Sequence, residues 1–192
     1  MRYSTEHKEQ TRTKILDAAA RRFRAEGYDG LGIDGLAKAA GVTNGAFYGH
    51  FASKADAFRE VAAQGLAELR QGIEHYRAER GESWLADFVH FYYSAPKLDC
   101  PEDICGLPSF APEVARAPEE TRAAFEAQLR TVAEAVAAGL PGDAKASEDK
   151  AWIVLAMLAG GVTLARSVND LELKKRMTSA LEAAVIQMGS ED

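Results

Sequence analysis

The sequence predicts an all-α fold in two parts, a small three-helix head and a larger helical body, with about nine helices in total. Three observations lead there. Apolar residues recur at spacings of three and four along nearly the whole chain, and the alternation expected of strands is almost absent. Glycine and proline cluster where those stripes stop. With 47% hydrophobic and 27% charged residues over 192 positions, the chain can bury cores without disulfide or metal staples.

The elements follow in order. Ile15, Leu16, Ala19, Ala20 and Phe23 form a first stripe, opened near Arg12 and Lys14 and ended by Gly27. Ile33, Leu36, Ala37 and Ala40 form a second, stopped by Gly41; a third, very short helix opens at Thr43 and carries Phe47 and Phe51. Ser53 then starts a long helix, with Asp56 placed three residues on as in a capping box. Its inward residues are Phe58, Ala62, Leu66, Leu69, Ile73 and Tyr76. A fifth helix runs from Ser83 through an aromatic run to Tyr93. Five of the six prolines lie between Ala95 and Pro118, so that stretch reads as a broken connection with at most short helices. Glu119 and Glu120 open the next helix, whose stripe is Phe125, Leu129, Val132, Val136 and Leu140.

Ser147 caps the following helix, which is apolar almost all round from Trp152 to Val168. A helix without a polar face must be covered on several sides, which predicts a partner subunit packed there, with Leu158 mid-seam and Gly160-Gly161 open to a second backbone. A last helix carries Leu173, Met177, Leu181, Ala184, Val185 and Met188. The domain boundary is placed at 52/53: residues 1–52 form the head and 53–192 the body.

The net charge of −6 conceals an asymmetry. Residues 1–54 hold nine basic and six acidic side chains; the remainder holds 14 and 23. A basic head on an acidic body suits a protein that presents its head to a polyanion. No signal peptide opens the chain, and the apolar stretch 151–165 is short for a membrane span. Cys100 and Cys105 make no disulfide framework, so a cytoplasmic setting without membrane contact is expected.

The stretch from Gly41 to Lys54 carries the most chemistry. Gly41 can take the left-handed conformation that ends one helix and turns into the next, and Thr43 can cap the second. Phe47 and Phe51 face the small core, which leaves Gly45, Ala46, Tyr48 and Gly49 outside. This is a helix-turn-helix with a slim outer face, able to enter a major groove about 12 Å wide. Thr43, Tyr48, His50 and Lys54 carry donors suited to phosphates, and Arg12 and Lys14 could reach the backbone across the groove. Asn44 is the best candidate for a base-edge hydrogen bond, and the Ala46 methyl could meet a thymine methyl.

The runs "TRTKILDAAARRFRAEGYDG", "IDGLAKAAGV" and "TNGAFYGHFASKADAF" resemble, in order and spacing, the DNA-binding domain of the tetracycline-repressor (TetR/AcrR) family, over residues 11–58 or so. Downstream, the likeness is confined to helix number and size. The resemblance implies a homodimer joined through the last two helices, an effector pocket among the preceding helices, and repression relieved by a small molecule. It places DNA contacts at Arg12, Thr43, Asn44, Gly45, Ala46, Tyr48, His50 and Lys54. Two departures stand out: Leu31-Gly32 replaces the Thr or Ser that usually enters the second helix, and Gly49 replaces a larger groove-facing side chain.

On that expectation two heads occupy successive major grooves of a palindromic operator, roughly 34–36 Å apart. An effector then acts through its differential affinity for two head spacings. Candidate pocket residues are Trp84, Phe88, His90, Phe91, Phe110, Phe125, Trp152 and Arg166, with Tyr93 a further polar partner. Cys100 and Cys105 raise a redox- or electrophile-sensing alternative, although Asp99, Glu102 and Asp103 crowd the pair with negative charge, which works against it. A ligand-independent DNA-binding protein would need fewer than the 138 residues after position 54. No phosphate loop, metal-ligand spacing or oriented nucleophile pair is present in the sequence, so neither an enzyme nor a bound cofactor is expected.

Overall fold

A computed structural model describes residues 5–94 and 98–190, with only the backbone of Thr5. The start of the proline-rich connection, 95–97, lies outside them. The described residues form helices α1 (Thr5–Glu26), α2 (Ile33–Ala39), α3 (Asn44–Tyr48), α4 (Lys54–Arg80), α5 (Trp84–Tyr92), α6 (Gly106–Val114), α7 (Glu119–Ala137), α8 (Ala144–Arg166) and α9 (Leu171–Ser190), plus 3₁₀ turns at Gly81–Ser83 and Pro101–Asp103. No strand occurs among them. The chain is all-α.

These helices pack as two compact units. The first is Met1–Gly65 with Pro101–Phe125; the second is Leu66–Cys100 with Glu126–Asp192. Residues 101–125 thus pack with the head although they follow it by some forty positions. In the first unit Ile15, Phe23, Leu36, Phe47, Phe51 and Phe58 are buried. Phe58 joins Phe23 and Phe110 edge to face, at ring separations of 5.3 and 5.9 Å. The close approach of α4 and α6 depends on two glycines. A Cβ on Gly106 would lie 2.8 Å from the Gly65 Cα, so that position accepts no side chain without a backbone shift, and a Cβ on Gly65 would crowd Gly106 and Phe110 at 3.1 Å.

The second unit is tied by polar anchors at helix ends. The Trp84 indole donates to the Gly139 carbonyl at 3.0 Å, and the Arg77 guanidinium donates to the carbonyls of Ala135 and Ala138 at the end of α7. The buried Tyr93 hydroxyl donates to the Met157 carbonyl in α8 at 2.7 Å, and burial pushes its pKa far above the ordinary range. That hydroxyl already has a structural partner.

Several expectations need correction. The helix α1 begins at Thr5, about two turns before Arg12, because the polar run ahead of the apolar stripe is itself helical. Phe51 is buried but follows α3, which closes at Gly49. Asp143, not Ser147, caps α8: its carboxylate accepts from the amides of Lys145 and Ala146, while the Ser147 hydroxyl turns back to the Asp143 carbonyl. Leu158 is 0% exposed and lies in the core of the second unit, so it is not a seam residue. The exposed stripe of α8 is Ile153, Ala156, Gly160 and Leu164. Gly161 serves the chain itself, since a Cβ there would meet the Tyr93 hydroxyl at 2.4 Å; Gly160 alone faces open space.

Candidate nucleic-acid interface

The turn between α2 and α3 is built by its backbone. Gly41 sits at φ +68°, its amide donates to the Lys38 carbonyl, and the Val42 amide donates to the Ala37 carbonyl at 2.9 Å. That pair of bonds is a Schellman closure, which satisfies the last carbonyls of α2 and aims the chain into α3. Thr43 adopts an extended conformation and its hydroxyl accepts from the Ala46 amide at 3.1 Å. The entry to α2 is less well made: Gly32 offers no side-chain cap, as the Leu31-Gly32 departure implies.

Phe47 anchors α3 from below, packed on Phe51 at 5.5 Å, and the opposite side is slim. Gly45, Tyr48 and Gly49 are exposed and Ala46 is half-buried. A side chain at Gly45 would touch only the Thr43 hydroxyl, at 3.8 Å. Tyr48 is 56% exposed, standing edge-on to the Phe47 ring at 5.9 Å.

The cationic residues flank this ridge with their own partners. The Arg12 guanidinium lies over the Phe51 ring at 5.0 Å and pairs with Glu60. The Lys54 ammonium lies 4.2 Å over the Tyr28 ring, at the start of α4. Two side-chain hydrogen bonds frame that start: the Ser53 hydroxyl accepts from the Asp56 amide, and the Asp56 carboxylate accepts from the Ala52 amide, both at 3.1 Å. His50 is half-buried, and its Nδ1 is enclosed without a hydrogen-bond partner among the described residues. Burial, then the nearby charges of Lys8 and Arg12, lower its pKa. Asn44 is exposed, and its amide donates to the Asp34 carboxylate on α2. All eight residues expected to contact DNA therefore fall within the first unit, in the head built by α1–α3 and the start of α4.

The sequence model for bacterial regulatory proteins of the tetR family matches residues 15–61, the segment whose geometry has just been described. Over that segment the chain is similar to the DNA-binding domain of the tetR family. The HTH-type transcriptional regulator AcrR of Shigella flexneri is 43% identical over 60 residues, 31% of this chain and 28% of AcrR. LmrA of Bacillus subtilis (strain 168) is 28% identical over 170 residues, 83% of this chain and 88% of LmrA. The chain therefore aligns with little more than a quarter of AcrR but with most of LmrA. Among solved structures, TetR-family regulators from Agrobacterium tumefaciens (TM-score 0.76, 19% identity, 94% of this chain and 97% of that one) and Cytophaga hutchinsonii (TM-score 0.78, 15% identity, 96% and 98%) share the fold. These relatives are regulators, not enzymes.

Two residues of this head are not announced by the sequence. Lys8 lies beside His50 because α1 starts early; no apolar stripe announces a helix made of polar residues. Asp34 reads in sequence as an acid favouring a helix N-terminus, and only the fold brings it to Asn44.

The candidate effector residues are more scattered. Phe110 and Phe125 belong to the first unit and the other six to the second. Phe110 is fully buried against Phe58, with the Arg24 guanidinium 5.4 Å from its ring. Phe88 is buried between Tyr76 and Tyr92, while Phe91 is 43% exposed beside Tyr76. Trp84 borders a cleft of about 970 Å³ with Arg77, Leu140 and Ile186; Trp152 borders another of about 320 Å³ with Arg130, Glu134 and Glu148. His90 pairs with Glu182 at 3.1 Å, and Arg166 is exposed at the end of α8. Cys100 and Cys105 are half-buried thiols; the Cys105 sulfur accepts from the Leu107 amide and so caps α6.

Proposed function

We propose that the protein is a homodimeric, ligand-responsive transcriptional repressor of the cytoplasm that leaves a palindromic operator when a small molecule binds. The observation that carries this reading is the exposed ridge Gly45–Ala46–Tyr48–Gly49 on a capped helix, flanked by Arg12, His50 and Lys54. A helix with no bulky outer residue but Tyr48 fits a major groove, and donors at its edges suit phosphates. Residues 1–52 form the DNA-binding domain in this reading and 53–192 the effector and dimerisation domain. The eight residues Arg12, Thr43, Asn44, Gly45, Ala46, Tyr48, His50 and Lys54 form the interface.

The exposed apolar stripe of α8, with Leu171, Leu173 and Ile186 of α9, supports pairing of two copies through the last two helices. Of the candidate effector residues, Trp84 and Trp152 each border a cleft of the second unit that a small molecule could enter. No helix among the described residues is long and apolar enough to cross a membrane.

Fluorescence anisotropy with DNA from upstream of the protein's own gene, against random competitor at two salt concentrations, tests the reading. Binding that resists competitor and weakens with salt supports it. Weak binding, equal on both DNAs, overturns it for that site; the same result with sequences selected from a random pool overturns it altogether.

A further inference from the structure

Asn44 opens α3 and, with Tyr48, is one of two polar side chains exposed on that short helix, and its amide is held by Asp34 on the neighbouring helix. An ionised carboxylate accepts hydrogen bonds and donates none. The group facing Asp34 must therefore be the Asn44 NH₂, which leaves the Oδ1 acceptor turned the other way. A carboxamide with no such neighbour can offer either edge outward. We infer that Asp34 is a specificity-determining residue: by holding the Asn44 amide it presents Oδ1 to the groove, so that Asn44 selects a base carrying an amino group.

The inference rests on the DNA-binding reading above and deepens it. In the major groove adenine offers its N6 amino group and cytosine its N4, whereas guanine and thymine offer the acceptors O6 and O4 at the corresponding edge. An outward acceptor meets a donor on the first pair and is repelled by the second. Adenine is the better partner, because the second Nδ2 hydrogen can reach its N7. Asp34 does this without touching DNA. Both it and Asn44 are exposed, so the pair is not maintained by burial. With Gly45, Ala46 and Gly49 beside it, the ridge has few other groups that read bases, and the direction in which Asn44 points decides much of the sequence preference.

The experiment is selection of duplexes from a random pool by the full-length protein, followed by competition binding with each base placed at the positions that emerge. The wild type is expected to require adenine or cytosine at one position per half-site, by about tenfold or more over guanine and thymine. Asn44→Ala flattens that position. Asp34→Ala and Asp34→Asn flatten the same position to below about threefold, because either edge of Asn44 can then turn outward. Both substitutions also remove a negative charge and raise affinity for all sequences alike. Thermal melting checks the fold, and the asparagine variant, which keeps the side chain's shape, carries the test if the alanine variant is unstable. A wild type that enriches no sequence overturns the DNA-binding reading and the inference together. A wild-type preference that survives both Asp34 substitutions, or that Asn44→Ala leaves intact, overturns the inference alone.

Discussion

The two units of this chain are built from the same helical periodicity and differ in what they leave uncovered. Of the large apolar residues in the first unit, Tyr48 is the exposed one among the described residues. The second unit exposes Phe91, Ile153, Leu164, Leu171, Leu173 and Ile186. A surface with a single exposed aromatic among cations suits a polyanion, whereas a run of exposed aliphatics suits another protein surface. The basic excess belongs to residues 1–54 and not to the first unit as a whole, because residues 101–125 bring five acidic side chains against two basic ones.

The largest expected effects would break this contrast by exchanging core for surface. Leu158→Glu places a carboxylate in the core of the second unit and should cost about 3 kcal/mol or more, seen as a collapsed unfolding midpoint in urea. Leu164→Glu, on the same helix but 56% exposed, should change stability within about 0.5 kcal/mol and shift sedimentation from dimer to monomer. A Leu164→Glu protein that sediments as a dimer would remove the exposed stripe of α8 from the seam.

In the first unit the paired test lies at adjacent residues. Phe47→Ala should cost about 3–5 kcal/mol, since its ring is fully enclosed beneath α3. Tyr48→Ala should leave the melting temperature nearly unchanged and weaken operator binding about tenfold, or about 1.4 kcal/mol. Equal affinity for both proteins would take Tyr48 out of the interface. Thr43→Ala should lose about 1 kcal/mol through its cap, with Thr43→Ser restoring most of it in denaturant titrations.

The smallest effect is a pH dependence. His50 is held below the ordinary imidazole value by burial and by Lys8 and Arg12. Its folded form is therefore neutral where the unfolded chain takes up a proton. The contribution to stability is fully present above the unfolded value of about 6.5 and is lost as pH falls through the lower folded value. Melting curves of wild type and His50→Asn should converge in their pH slopes above neutrality and diverge below it. Parallel slopes throughout would show that His50 titrates as it does in the unfolded chain.

How much was legible depended on sequence separation. Gly41, Thr43, Phe47 and Ser53 announced the helix-turn-helix because a turn, two caps and a core contact are set by residues within a few positions of one another. The buried stripe of α4 was equally readable from its spacing, since one apolar face suffices to orient a helix. The inward face of α8 was not, because apolar residues surround that helix. Periodicity could not say that Leu158 turns in and Leu164 turns out, or that Gly161 yields to Tyr93 while Gly160 stays open. Candidate effector residues failed to converge for a similar reason: an aromatic at helical spacing looks alike in a core and in a cleft.

The sequence alone determined the fold class, the position of the helix-turn-helix and the asymmetry of charge, all of which follow from local periodicity, capping and composition. Tertiary structure decided that residues 101–125 pack with the head, that Gly65 and Gly106 let α4 and α6 touch, and that Asp34 holds Asn44. These contacts join residues ten to eighty-five positions apart. No local propensity encodes such pairings, because each depends on several helices being packed at once.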